Sequence, residues 1–149
     1  MFFLLLLKME KYYKINKDQK ENIQKNITKI LFNEKKIVFA YLHGSFLKKR
    51  FRDVDIGIYI NKDLSNEQIL KYELHLEEEI STKINYPIDI RVLNKAPLSF
   101  RFSVIKNGII LFSKDESKRT DFECLSLVKY HDFNFYRNRY MRGALGIKI

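Results

Sequence analysis

The chain has 149 residues, 46% hydrophobic and 31% charged, which is enough apolar material for one buried core and leaves little room for a second domain or for a disordered polymer. A single cysteine, Cys124, excludes an internal disulfide framework and any zinc site that needs a cysteine pair. The net charge of +10 is uneven, with fourteen Lys/Arg against six Asp/Glu in residues 1–62, a bias that favours nucleotide phosphates, nucleic acid or an acidic protein over a neutral partner.

The apolar run Phe2–Leu7 is far shorter than the roughly 20 residues of a membrane span, and it lacks the basic flank and small-residue cleavage site of a signal peptide. Two readings stand for residues 1–15: an extension ahead of translation that truly starts at Met9, or a short strand or sticky N-terminal segment. No membrane association is expected, and the setting expected is cytoplasmic. From residue 16 onward the sequence reads as one domain. Asn16 can cap a helix reaching about Phe32, with Ile23, Ile27, Ile30 and Leu31 on one face. Lys36–Leu42 is a β-rich apolar run ending at His43-Gly44-Ser45, and the segment after it is too short for more than a turn or two of helix. Asp53–Ile60 alternates, placing Val54, Ile56, Ile58 and Ile60 on one face and Asp53, Asp55, Gly57 and Tyr59 on the other.

A helix follows over 66–84, with Ile69, Leu70, Leu76, Ile80 and Ile84 as its apolar contacts. Pro87–Asn94 is a third strand in which Asp89 and Arg91 share a face. A short element around Leu98–Ile105 precedes an edge-like strand at Gly108–Ser113, and a last helix spans about 116–142. In that helix Phe122, Leu125, Val128 and Phe133 have core spacing. Phe135, Tyr136 and Tyr140, interleaved with Arg137, Arg139 and Arg142, exceed what one buried stripe needs and read as a partner interface or an RNA contact. The fold class is α/β (α+β), a small mixed sheet covered by helices, with a long C-terminal helix.

Two aspartates at i, i+2 on a strand send both carboxylates to one side, which suits shared coordination of a hard divalent cation such as Mg²⁺. Gly44 allows close backbone approach, Ser45 offers a hydroxyl and an N–H, and Lys48, Lys49, Arg50 and Arg52 can neutralise phosphate charge. Asp53 and Asp55 on the wet face of an edge strand, beside a plain Gly-Ser turn, are the competing reading. Asp89, mid-strand between Ile88 and Ile90 and 34 positions beyond Asp55, argues against it.

These residues carry a resemblance. The stretches "GSF…RDVDIGIYI" and "PIDIRVLN" resemble the nucleotidyltransferase superfamily that includes DNA polymerase β, in its minimal (MNT) form, and the tail from Asn94 is similar to that of MntA-type antitoxins of type VII toxin–antitoxin pairs. The seven residues between Ser45 and Asp53 make a shorter phosphate loop than many relatives carry, and His43 stands where an aromatic often precedes Gly-Ser.

The resemblance implies a polymerase β-like palm fold. Gly44 and Ser45 would bind the ATP triphosphate, Asp53 and Asp55 would hold two Mg²⁺ ions (Mn²⁺ as the alternative), and Asp89 would complete one metal site and help activate the acceptor. The reaction implied is AMP transfer to a tyrosine hydroxyl of a cognate HEPN ribonuclease toxin. A non-catalytic antitoxin that acts by binding, and an RNA-related nucleotidyltransferase or binding module, are the alternatives. His43 reads as a phosphate or base contact or a packed histidine, Arg91 as a phosphate contact or an aspartate partner, and Tyr59 as packing rather than a self-modified acceptor.

Overall fold

Side-chain caps start the two helices that cover one side of the sheet. In the computed structural model, which describes residues 11–146, Asn16 accepts from the Gln19 N–H at 2.8 Å while the Gln19 side chain accepts from the Asn16 N–H at 3.0 Å. This capping box opens helix α1, Lys17–Phe32. Ser65 and Gln68 form the same box ahead of α2, Asn66–Ile84, and Asn85 closes that helix in the left-handed conformation at φ +65°. The segment expected to be an extension, residues 1–15 with Met9 as the alternative start, lies mostly outside the described residues. Its described end is tied down by the pairing of Tyr13 with Phe51.

The four strands are β1 (Ile37–His43), β2 (Val54–Ile60), β3 (Ile88–Val92) and β4 (Ile109–Ser113), in the order β3-β2-β1-β4. β2 runs antiparallel to β1 and parallel to β3, and the parallel pair requires the crossover that α2 supplies. β4 pairs with β1 alone and is an edge, as its sequence predicts. β2 is interior, so Asp53 and Asp55 are not on an edge strand.

One core lies between the sheet and α1 with α2, built from Ile27, Leu31, Ile56, Ile58, Leu76 and Ile80, all fully buried. Each such side chain contributes about 1.5–3 kcal/mol on leaving water. A smaller cluster on the other face joins Phe39, Tyr41 and Leu93 to Val104 of α3 (Leu98–Asn107) and Phe122 of α4 (Glu116–Leu145).

Two packing expectations are corrected. Leu70 is exposed, because Tyr72 takes the inward position on that turn. Leu125, Val128 and Phe133 are exposed at 53%, 58% and 56%, while Phe122 and Ser126 are the buried residues of α4. The helix meets the sheet through one narrow stripe and turns a second apolar stripe outward. Among the described residues no helix is long and apolar enough to cross a membrane.

Candidate active site

The alternation of β2 buries Val54, Ile56, Ile58 and Ile60 and sends Asp55 to the opposite face, with Asp53 immediately before the strand. Strand register completes the site. His43 of β1 pairs with Asp55 of β2, and Asp55 pairs with Asp89 of β3, so the three lie in one row across the sheet. Asp53, Asp55 and Asp89, all half-buried, each bring a carboxylate oxygen to within 4.8 Å of the others. The three acids of the sequence reading thus converge.

Burial, followed by the charges of Asp53 and Asp89, pushes the Asp55 carboxyl up to about 7. Asp53 is raised as well, by burial and then by Asp89, with Arg52 opposing. Three acids that repel one another and shed water unwillingly make a site short of positive charge. Their hard oxygen donors fit a divalent cation. The Arg91 Nε lies 3.3 Å from Asp89 Oδ1, so of its two possible roles the structure displays the ion pair.

The Gly-Ser loop abuts this cluster. Gly44 and Ser45 open a short 3₁₀ turn, Gly44–Leu47, with Gly44 at φ +77° and its α-carbon against Asp55. The Arg52 N–H donates to Ser45 Oγ at 3.3 Å, which fixes the oxygen and leaves its hydrogen free to meet a ligand. Phe46 and Phe51 are buried and pack edge-to-face, so the short loop is anchored at both ends. Lys48, Lys49 and Arg50 are exposed, with no ion pair among the described residues, and the Arg52 guanidinium sits over the Tyr12 ring. Arg52 offsets the charge of Asp53 only in part, since burial and Asp89 still leave that carboxyl raised.

His43 packs edge-to-face on Phe100, with a buried Nε2 that has no hydrogen-bond partner. Burial lowers its pKa and favours the neutral ring. Tyr59 stacks on Phe39 with centroids 4.7 Å apart, a packing residue as expected. Phe135, Tyr136 and Tyr140 project from the far half of α4, exposed at 60%, 66% and 63%. A hollow of about 290 Å³ at the other end of β2, edged by Lys62, Asp63, Lys95 and Lys118, includes none of Asp53, Asp55 and Asp89.

Several contributors lay outside the sequence reading. The outward N–H groups of β3 at Ile90 and Val92 donate to Glu77 and Glu73 of α2 at 2.9 and 2.8 Å, which seals that edge and steadies the strand carrying Asp89. The Tyr41 hydroxyl donates to Glu123 at 2.5 Å, and Arg119 pairs with the same carboxylate at 2.8 Å, binding α4 to the sheet. Lys20 reaches the Gly-Ser loop from behind. In the sequence the signal for each was a charged residue on or beside a buried helical stripe.

A family model for polymerase beta nucleotidyltransferases matches residues 25–117, a span that contains the loop and all three acids. Among curated proteins, none matches the chain in sequence. A chain from the complex of tri-AMPylated Shewanella oneidensis HEPN toxin with MNT antitoxin superposes with a TM-score of 0.67 at 19% identity, covering 85% of this chain and 98% of that one. The MntA–HepT toxin–antitoxin structure gives 0.65 at 18% identity, with 84% and 98% covered. A toxin–antitoxin structure with AMP-PNP gives 0.61 at 17%, with 88% and 99% covered. At these identities the likeness is one of fold.

Proposed function

The chain belongs to the polymerase β nucleotidyltransferase family, and on that premise we propose that it is an antitoxin protein adenylyltransferase acting in the cytoplasm. It transfers AMP from ATP to a tyrosine hydroxyl of a cognate HEPN ribonuclease toxin and so silences it. The observation that carries this reading is the convergence of Asp53, Asp55 and Asp89 directly against the Gly44-Ser45 turn. Solved structures similar in fold include toxin–antitoxin complexes, one with an AMPylated toxin and one with AMP-PNP.

In the reaction the tyrosine oxygen forms a bond to the α-phosphorus and the bond from that phosphorus to the bridging oxygen breaks, with pyrophosphate leaving. Gly44 and Ser45 receive the triphosphate, and Lys48, Lys49 and Arg52 offset its charge. Asp53 and Asp55, with Asp89 completing one of two sites, would hold Mg²⁺, or Mn²⁺ in its place. A bound divalent ion supplies neutralisation of phosphate charge and activation of the attacking oxygen. A free tyrosine has a pKa near 10, so its proton must be drawn off as the bond forms, and Asp89 is the carboxylate assigned to this.

Phe135, Tyr136 and Tyr140 form the surface that grips the toxin. Their exposure beside Arg137 and Arg139 has the make-up of interface anchors. The same exposed face favours the second reading, a protein that neutralises by occlusion alone. Co-expression with a cognate HEPN toxin separates the two. Under the catalytic reading wild type protects cells while the Asp53→Asn/Asp55→Asn double variant, which still binds, does not. Equal protection by both would establish occlusion. Retention on RNA that falls steeply with salt would instead favour the RNA-related reading.

A further inference from the structure

Lys20 occupies a position where a helix facing a core would carry an apolar residue. It continues the buried stripe Ile23, Ile27, Leu31 of α1 toward the N-terminus and is itself half-buried. Its ammonium pairs with no acid among the described residues. It donates instead to the carbonyl oxygen of Phe46 at 2.7 Å and to that of Lys48, and it stands 5.2 and 5.7 Å from the ring centroids of Phe46 and Phe51.

The loop it grips is the one that carries Gly44 and Ser45. A turn that offers N–H groups and a hydroxyl to phosphate must send carbonyl oxygens elsewhere, and those oxygens need donors. Two of them find the Lys20 ammonium. Lys48 links that contact to the front of the loop, because its own N–H donates to the Ser45 carbonyl at 2.9 Å. The two aromatic rings beneath the ammonium belong to the residues that anchor the loop in the core, so one side chain ties α1, the turn and the core together.

We propose that Lys20 is the positioning residue of the phosphate loop, holding the Gly44–Lys48 turn in the shape that receives the triphosphate. It touches no substrate, so it sets nucleotide affinity and leaves the chemical step alone. The inference rests on the nucleotidyl-transfer reading. Arginine, with several donors in a fork, can bridge the same two carbonyls, whereas methionine, with no donor, cannot.

The test uses AMP-PNP with Mg²⁺ on the full chain, comparing wild type, Lys20→Met, Lys20→Arg and, as a control, the exposed Lys25→Met. Lys20→Met is expected to bind AMP-PNP about tenfold more weakly, the worth of one hydrogen bond from a charged donor. With ATP in the transfer reaction, KM should rise by the same factor with kcat unchanged, and Lys20→Arg should recover most of the loss. Amide exchange should quicken at Lys48 and Arg52 and nowhere in α2. Should methionine prevent folding, Lys20→Ala, which also has no donor, carries the same expectation. Wild-type affinity and loop exchange in these variants, or a lowered kcat at constant KM, would overturn the proposal. No AMP-PNP binding by the wild type would instead bring down the nucleotidyl-transfer reading, and this proposal with it.

Discussion

The Asp55 carboxylate rests on the α-carbon of Gly44: a Cβ added there would stand 2.0 Å from Oδ2, at a backbone φ of +77° that side chains rarely adopt. The Gly-Ser turn and the Asp55 carboxylate are thus in contact, and the glycine is required on two counts. Gly44→Ala must displace either the turn or the carboxylate. A displacement of that size costs on the order of 10²-fold in transfer rate. Strain at the turn should cost about 1–3 kcal/mol of stability. Initial-rate measurements beside urea denaturation would register both, and an alanine variant of wild-type rate would refute the contact.

The raised carboxyl of Asp55 makes stability depend on pH. Its folded-state value of about 7 stands above the ordinary 3.8, so between those values the folded chain holds a proton that the unfolded chain has lost. Without metal, stability should therefore fall as pH rises from about 4 to about 7 and level off above that. Asp53, Glu73 and Glu77, all raised chiefly by burial, add to the same trend. Asp55→Asn should flatten the curve in part. Mg²⁺ competes with that proton, so its affinity should climb across the same window. Melting temperatures in chelator and in Mg²⁺ at stepped pH would show it, and a metal-free protein that gains stability with pH would contradict it.

Tyr41 joins the sheet to α4 through Glu123, and the same carboxylate raises the tyrosine pKa after burial does. Tyr41→Phe removes one charge-assisted hydrogen bond but leaves Glu123 its partner Arg119, so the cost should be about 1.5–3 kcal/mol. AMP-PNP affinity should not change, since the pair lies outside the acid row. Denaturant unfolding and a nucleotide titration on the same sample test the two halves of this statement.

The sequence displayed its helices and its acids because each rests on local chemistry. Asn16 and Ser65 are caps whose partners lie three residues on, and Asp53 with Asp55 share a face by strand geometry alone. Asp89 was legible as an acid out of place on an apolar strand. Other features depend on register and on what packs where. That His43, Asp55 and Asp89 form one row follows only from the pairing of three strands. In α4 the spacing of Phe122, Leu125, Val128 and Phe133 fits a core stripe, but the small second cluster accepts little beyond Phe122, and the others face outward. Lys20, Glu73 and Glu77 resembled surface charges because their partners are backbone atoms of distant segments.

The most direct test of the whole account is label transfer in a purified complex with the proposed HEPN partner. Given ATP labelled at the α-phosphate and Mg²⁺, the partner should become labelled. ATP labelled at the γ-phosphate should give nothing, and Asp55→Asn should abolish the signal while the complex stays intact. An unlabelled partner with the wild-type protein, or undiminished labelling with Asp55→Asn, would contradict the assignment of this site.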